Sequence, residues 1–283
     1  MDNRICRHFN ICGGCLWQDV AYEEQLKRKN ENISSVLGGF GAEILPILPS
    51  EKIFFFRNKM EFVCASPLLD KKFDSAREKI DPKTIYLGLR ERHKFYKVVN
   101  IEECLLQSEN SNEIVRTVRG WAAESGLEPY DLHSHKGLIR YLIIREGKMT
   151  GQSMVNLILN TTKYQFEYNL KDTVNSLVSQ LKKNVPGLVC FNAGFYSQKG
   201  DAAKYEDMVT VLGDGFIEEK IGGIKYRVSA ETFFQTNSYT VVKMYSVIRK
   251  FLSENSGNSG SARGSTCMDV CCGCGGITLF VSD

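Results

Sequence analysis

Two apolar runs decide the fold class of this sequence: LIRYLIIR at residues 138–145 and QSMVNLIL at residues 152–159. Each run is short and rich in Ile, Leu and Val, which is typical of a strand in a folded sheet. Arg140 and Arg145 interrupt the first run, so it falls well short of the roughly 20 apolar residues that a membrane span needs. We expect both runs to be strands, in a chain without a membrane span.

Further runs of the same kind lie on both sides of this pair. The predicted strands are 60–65, 84–89, 95–101, 188–195, 209–212 and 224–228, and the predicted helices are 19–37, 111–125, 170–183 and 238–252. Strands and helices in this mixture predict an α+β region in which most strand pairs are antiparallel.

The first predicted helix has a one-sided apolar pattern. Its apolar positions are Tyr22, Leu26, Ile33 and Leu37, and Asp19 is placed to cap its first turn. A one-sided helix predicts a sheet beneath it.

Composition places the chain among ordinary folded proteins. It has 283 residues, of which 43% are hydrophobic and 24% charged, and this excludes a disordered, collagen-like or coiled-coil chain as a whole. The length predicts about two domains. The formal net charge of +3 neither requires nor excludes a nucleic-acid partner. The first residues lack the apolar run of a secretory signal, so we expect a cytoplasmic setting.

Ten cysteines in a reducing compartment indicate metal binding or catalysis rather than disulfides. Cys6, Cys12 and Cys15 have the spacing C-x5-C-x2-C, with two glycines between the last two that allow a tight turn. Tetrahedral zinc and iron–sulfur clusters are both normally held by four ligands. Cys104 is the strongest fourth candidate, with His8 as the alternative. Zinc, an iron–sulfur cluster and unconnected thiols all remain possible from this spacing.

The other cysteines divide into two groups. Cys64 and Cys190 lie within apolar strands, where a cysteine is usually a small buried hydrophobe. The remaining four lie close together at residues 267–274. They allow a second metal site, although small side chains are also what a tight cofactor loop tolerates.

Residues 268–279, MDVCCGCGGITL, predict a strand over 266–271, a G-x-G turn and a helix that opens at Ile277. Such a turn lets the backbone approach a nucleotide-like ligand closely. Because no third glycine follows at the dinucleotide spacing, the loop fits S-adenosylmethionine better than a dinucleotide. The serine- and glycine-rich residues 254–265 before it predict a flexible connection.

The stretch RERHKFYK at residues 90–97 combines basic and aromatic side chains. Charges that neutralise phosphate beside rings that stack on bases are expected where a protein binds unpaired RNA. Arg57 and Lys59 extend this set. The alternative is a solvated face with no partner.

Five segments occur in one order along nearly the whole chain: the cysteine loop 6–18, RNKMEF at 57–62, IEEC at 101–104, FFQTN at 233–237, and 269–279. In that order they resemble one family, the iron–sulfur-containing RNA 5-methyluridine methyltransferases, which modify uracil in 23S ribosomal RNA or in tRNA. The resemblance implies a 4Fe-4S cluster on the four cysteines Cys6, Cys12, Cys15 and Cys104.

The resemblance also assigns the cofactor and RNA positions. It implies S-adenosylmethionine as methyl donor, with Gln235 at both the cofactor and the target base. The other cofactor positions are Asp269, Cys271, Gly273, Gly275 and Gly276. Cys271 and Gly276 stand where the family has an aromatic and a polar residue. The expected RNA-binding residues are Arg57, Lys59, Arg90, Arg92 and Phe233. Of Phe233 and Phe234, we expect one to stack on an extruded base and the other to be core.

In the family a cysteine thiolate adds to uracil carbon 6, and a base removes the carbon 5 proton. Both groups follow the glycine loop, so the resemblance places them beyond Asp283 and leaves this chain without its own catalytic residues. We expect a cluster loop (1–18), a central α+β RNA-binding region (19–228) and an incomplete start of a Rossmann-like methyltransferase domain (229–283).

Such a chain is expected to be inactive alone and monomeric, with 23S ribosomal RNA favoured over tRNA as the target. Its carboxy-terminal part, after Ser253, is expected to be poorly ordered or abnormally packed. Two other hypotheses are a metal-cluster RNA-binding module without catalysis and, less favoured, an electron-transfer iron–sulfur protein.

Overall fold

A seven-stranded sheet forms the centre of the molecule. The computed structural model describes residues 4–66, 84–255 and 267–282. The strand order across the sheet is β3-β2-β1-β4-β5-β6-β7. The strands are β1 Lys59–Ala65, β2 Tyr86–Glu91, β3 Lys94–Asn100, β4 Ile139–Glu146, β5 Ser153–Leu159, β6 Leu188–Phe195 and β7 Asp207–Leu212.

Every neighbouring pair in this sheet is antiparallel except β5 and β6, which are parallel. Parallel neighbours need a crossover, and here α3 (Lys163–Gln165), a π-helical turn (Phe166–Leu170) and α4 (Lys171–Asn184) supply it. All residues of β4 and β5 are buried, so the centre of the sheet is covered on both faces. The strands predicted between residues 60 and 212 and the mostly antiparallel arrangement are confirmed.

One face of the sheet is covered by α2 (Glu109–Ser125) and α4. The Ser108 side chain accepts from Ser111 N and caps α2. Gly126 ends α2 in a left-handed conformation, with φ +69°. The main hydrophobic core lies between these helices and the sheet, and Phe62 and Leu142 at its centre have no exposed surface.

The opposite face carries a separate hairpin of β8 (Phe216–Ile221) and β9 (Ile224–Ser229). A second core joins this hairpin to Met154 and Cys190 of the sheet and to α5 (Ser238–Asn255) and α6 (Gly276–Ser282). The sequence did not predict β8, because Glu219 stands at a buried position where the strand alternation needs an apolar side chain.

Two expectations about the first helix are wrong. Helix α1 spans Tyr22–Leu37, its N-cap residue is Ala21 rather than Asp19, and it buries none of its residues. No sheet lies beneath it. Its amino-terminal half is mostly charged, and the apolar Ile33 and Leu37 remain 43% and 41% exposed, so it offers too little apolar surface to dock on a core.

The strand predicted over 266–271 is also wrong for its described part, since residues 267–271 form irregular and turn structure. Cys271 has φ +63°, a left-handed conformation that ends an extended chain. Most of the predicted flexible connection, residues 256–265, lies outside the described residues.

The carboxy-terminal part was expected to pack poorly, and this is wrong for α6. Phe280 is only 5% exposed, and its ring lies 5.4 Å from that of Tyr245 in α5. Helix α5 itself continues past Ser253 to Asn255. Within the described ranges, no helix is long and apolar enough to cross a membrane.

Candidate functional site

The four predicted cluster cysteines, Cys6, Cys12, Cys15 and Cys104, surround one small pocket. The loop that carries the first three is fixed to β2, because Gly13 N donates to Arg90 O at 2.9 Å and Arg92 N donates to Ile11 O at 2.8 Å. Cys104 follows β3 and is buried. The sheet edge therefore brings together sulfur atoms that lie up to 98 positions apart in sequence, from Cys6 to Cys104.

Backbone N–H groups point at these sulfurs. His8 N donates to Cys6 Sγ at 3.4 Å, and Gly14 N donates to Cys12 Sγ at 3.3 Å. The Cys104 thiol is approached by the backbone N–H groups of Leu106 and Gln107. Such donors stabilise negative charge on sulfur and are characteristic of thiolate ligands.

Burial, together with the neighbouring cysteines, raises the pKa of the Cys15 thiol to about 11. Burial also raises the pKa of Cys12 and Cys104. At neutral pH these groups are therefore protonated thiols unless a bound cation displaces the protons.

In the part of the chain that is described, no group of three or more Cys, His, Asp or Glu side chains converges closely enough to hold one metal ion. This applies to Cys267, Cys271, Cys272 and Cys274 as well as to the amino-terminal pocket, so the second metal site has no support. His8, the alternative fourth ligand, already has a hydrogen-bond partner, because its Nε2 accepts from Glu102 N at 3.1 Å.

A cleft of about 610 Å³ opens beside this pocket. Gly14 and Leu89 line both spaces, so the same loop forms a wall of each. Four of the five predicted RNA-binding residues line the cleft together: Arg57, Lys59, Arg90 and Phe233.

The cations of the cleft differ in their partners. Lys59 Nζ lies 2.6 Å from Glu61 Oε1, and Arg90 Nη2 lies 2.5 Å from Asp201 Oδ2. Arg57 uses only Nε, which donates to Lys59 O at 3.1 Å. Of the cations predicted here, Arg57 is thus the one whose terminal nitrogens make no protein hydrogen bond among the described residues.

Three charged residues of the cleft were not predicted as site residues: Glu61, Arg145 and Glu231. Arg145 is buried, and its guanidinium donates to Ala230 O at 3.1 Å and to Thr232 O at 2.7 Å. The sequence signal for Arg145 was its position at the end of an apolar strand, directly before Glu146. The arginine holds the segment before Phe233 against β4.

The fifth predicted residue, Arg92, does not line the cleft. Its Nη2 donates to Cys15 O at 3.0 Å, and its Nη1 donates to Asn10 Oδ1 at 3.3 Å. The structure therefore places Arg92 as an anchor of the cysteine loop.

The two phenylalanines separate as expected. Phe234 is 9% exposed and its ring lies 5.7 Å from that of Tyr226, whereas Phe233 is 72% exposed at the cleft. The half-buried Gln235 follows. Its carbonyl accepts from Asn58 Nδ2 at 2.8 Å, while its side-chain amide has no hydrogen-bond partner within the described ranges.

The glycine loop lies against this segment, since Cys274 Sγ lies 3.5 Å from Phe233 O. Gly273 and Gly275 have φ of +58° and +72°, which only glycine adopts without strain. At Gly276 a Cβ atom would lie 2.6 Å from Tyr245 Oη. Asp269 accepts from Thr278 Oγ1 at 2.7 Å, so this carboxylate is held by α6, and Cys271 is exposed.

No family model matches this chain. Curated relatives do. It is 31% identical over 98% of its length to an uncharacterised RNA methyltransferase of Chlorobaculum tepidum, of which it covers 56%. It is 28% identical over 87% of its length to a tRNA (uracil(54)-C(5))-methyltransferase of Pyrococcus furiosus, of which it covers 51%.

A solved structure is similar as well. The crystal structure of Pyrococcus abyssi tRNA (uracil-54, C5)-methyltransferase in complex with S-adenosyl-L-homocysteine matches 84% of this chain, with a TM-score of 0.63 and 25% identity. The chain covers 50% of that protein. It therefore spans about half the length of the relatives it matches, and it is related in sequence and fold to RNA methyltransferases.

Proposed function

We propose that this chain takes part in S-adenosylmethionine-dependent methylation of carbon 5 of uracil in RNA. The observation that carries the proposal is one arrangement: a cleft lined by Arg57, Lys59, Arg90 and Phe233, next to a glycine loop that touches the Phe233 carbonyl. The tRNA uracil-54 relatives support the reaction type.

The cleft has the properties that unpaired RNA requires. Arg57 offers terminal guanidinium nitrogens to a phosphate, and Phe233 offers an exposed ring face for stacking. An enzyme that modifies uracil carbon 5 must take the nucleotide out of its stack, and an exposed aromatic side chain can replace the lost stacking.

The glycine loop and Gln235 fit an amino-acid-containing cofactor. Gly273 and Gly275 permit a close backbone approach, and the Gln235 amide offers a donor and an acceptor that the described residues leave unused. When bound, S-adenosylmethionine supplies the methyl group. In this proposal the residues of the chain bind and orient it beside the cleft.

We further propose that Cys6, Cys12, Cys15 and Cys104 hold a 4Fe-4S cluster. The four thiols around one pocket and the N–H groups aimed at Cys6, Cys12 and Cys104 support a cluster. Iron and acid-labile sulfide measured on anaerobically purified protein decide this, and zinc without sulfide would contradict it.

The proposal includes two RNA classes as candidate substrates. Both relatives whose names give a substrate act on tRNA, and the preference for 23S ribosomal RNA has no support among the relatives described here. We therefore keep tRNA and 23S ribosomal RNA as the two candidate substrates.

Deletion of the gene that encodes this chain tests the proposal without any assumption about its length. Digested tRNA and ribosomal RNA from the deletion strain are analysed by mass spectrometry for 5-methyluridine. Loss from one RNA class, restored by the gene, is the expected result and identifies the substrate. Unchanged 5-methyluridine in both classes would contradict the proposal.

One observation favours a second candidate, an RNA-binding module without catalysis. The cleft is formed by residues between Gly13 and Thr236 and does not include the glycine loop. RNA binding by this chain in a filter assay, with no calorimetric signal for S-adenosylhomocysteine, would favour this candidate.

A further inference from the structure

Asn58 lies between two residues of the cleft but does not itself line it. Arg57 and Lys59, on either side, are cleft residues, whereas Asn58 is only 6% exposed and is buried beneath them. Its backbone links two elements, because Asn58 N donates to Thr236 O at 2.9 Å and Glu146 N donates to Asn58 O at 2.8 Å. Asn58 therefore joins β4 to the FFQTN segment.

The Asn58 amide also holds that segment through its side chain. Nδ2 donates to Gln235 O and to Ser238 Oγ, each at 2.8 Å. Ser238 Oγ in turn donates to Glu219 Oε2 at 2.6 Å. One amide group thus uses both its N–H bonds to fix the two ends of a four-residue segment.

Glu219 gives this arrangement a rigid base. It is 1% exposed, and its carboxylate also accepts from three backbone N–H groups: those of Lys148, Met149 and Lys220. A buried carboxylate with this many donors has a fixed orientation, so the Ser238 hydroxyl and the start of α5 are fixed with it.

We propose that Asn58 is a positioning residue that couples the RNA cleft to the cofactor loop. By holding Gln235 O and Ser238 Oγ, it fixes the backbone that carries the Phe233 ring at the cleft and the Phe233 carbonyl at Cys274 of the glycine loop. The coupling of the RNA cleft to the cofactor loop rests on the proposed function. The hold of Asn58 on the FFQTN segment does not depend on that function and is tested separately.

The first test measures hydrogen–deuterium exchange over residues 233–241 of the full chain. Asn58→Asp keeps the side-chain shape but removes both donors, and Ser238→Ala removes one of the two acceptors. Asn192→Asp is the matched control, because Asn192 is an equally buried amide that donates to Asn156 Oδ1 at 2.8 Å within the sheet.

We expect Asn58→Asp to raise exchange at Thr240 and Val241, whose N–H groups are held by Asn237. The expected increase is about tenfold, which lies within the effect of losing two buried hydrogen bonds. Ser238→Ala should give a smaller increase. Exchange that is unchanged in Asn58→Asp, or equally raised in Asn192→Asp, would overturn the proposal.

The second test measures position rather than stability. A single-stranded oligonucleotide with one 5-iodouridine is irradiated at saturating protein, and crosslinks at Phe233 are counted per bound oligonucleotide. A several-fold fall in Asn58→Asp, but not in Asn192→Asp, supports the coupling. An unchanged yield per bound RNA, with faster exchange, would reduce Asn58 to a structural residue. If the wild-type chain binds no RNA, the proposed function fails, while the exchange experiment still decides whether Asn58 holds the segment.

Discussion

At the scale of single residues, the neighbours Phe233 and Phe234 make the sharpest comparison. Phe233→Ala should weaken binding of a uridine-containing single strand by about 1–3 kcal/mol, the cost of losing one stacked base, with little change in Tm. Fluorescence anisotropy measures the binding.

Phe234→Ala is the matched variant, since it removes an equal side chain from the core. It should lower the free energy of unfolding by about 3–5 kcal/mol. Equal RNA affinity of Phe233→Ala and wild type would remove the stacking role.

The Cys15 thiol makes a prediction about pH. Burial raises its pKa from 9.0 to about 11, so in metal-free protein the protonated form is favoured by folding. This contribution to stability is complete below pH 9 and is lost as the pH rises through about 11. Denaturant unfolding between pH 8 and 11 should show the loss, and Cys15→Ser should reduce it. Cys267→Ser replaces an exposed thiol and is the control, which should leave the pH-dependent loss unchanged.

How far the sequence predicts this site also depends on single residues. Cys6, Cys12, Cys15 and Cys104 could be found because cysteine types and spacing are visible along the chain. Arg145 is visible as a charge at the end of an apolar strand, but its role and that of Asn58 depend on which backbone carbonyls approach them after folding. Arg92 stands in a basic run, but only the folded cysteine loop shows that its guanidinium holds Cys15 O.

At the scale of elements, α6 depends on one side chain. Phe280 packs on Tyr245 and lies against Gly222, where a Cβ atom would be 2.3 Å from the ring. Phe280→Ala should undock α6 and raise amide exchange over residues 276–282, because a seven-residue helix is not stable alone.

Leu279→Ala, at a neighbouring position that is 45% exposed, is the control and should leave exchange in α6 close to that of wild type. Protection of α6 in the Phe280→Ala variant would show that other contacts hold it.

Sequence patterns predict a helix or strand best when its buried positions carry apolar residues. The strands β4 to β6 are apolar enough to be recognised alone. Strand β8 was missed because the middle one of its three buried positions is Glu219. Four hydrogen-bond donors compensate for the burial of this carboxylate, but only in the folded protein. Helix α1 shows the opposite case, because its apolar pattern is regular but none of its residues is buried against a neighbouring element.

At the scale of the whole molecule, the cleft predicts a salt dependence. For single strands the slope of log K against log salt is about −0.7 for each phosphate that is neutralised. Arg57→Ala should reduce the slope by about 0.7, measured by titrating RNA at several salt concentrations.

Arg116→Ala removes an exposed cation on α2, on the opposite face of the sheet, and should leave the slope unchanged. An equal change of slope in both variants would mean that the RNA affinity depends only on the net charge of the protein.

The pairing of β1 with β4 has a consequence for the order of folding. Lys59 and Arg145 face each other in this pair, and both line the cleft. Strands β1 to β3 pair with their neighbours in sequence, and so do β4 and β5. The pairing of β1 with β4 joins these two units and closes the longest loop in this half of the sheet. We therefore expect this step of folding to be slow. On a ribosome, the cleft also awaits the segment around Phe233, more than 80 residues after Arg145. The surface proposed to bind RNA therefore forms only after the segment around Phe233 has been synthesised.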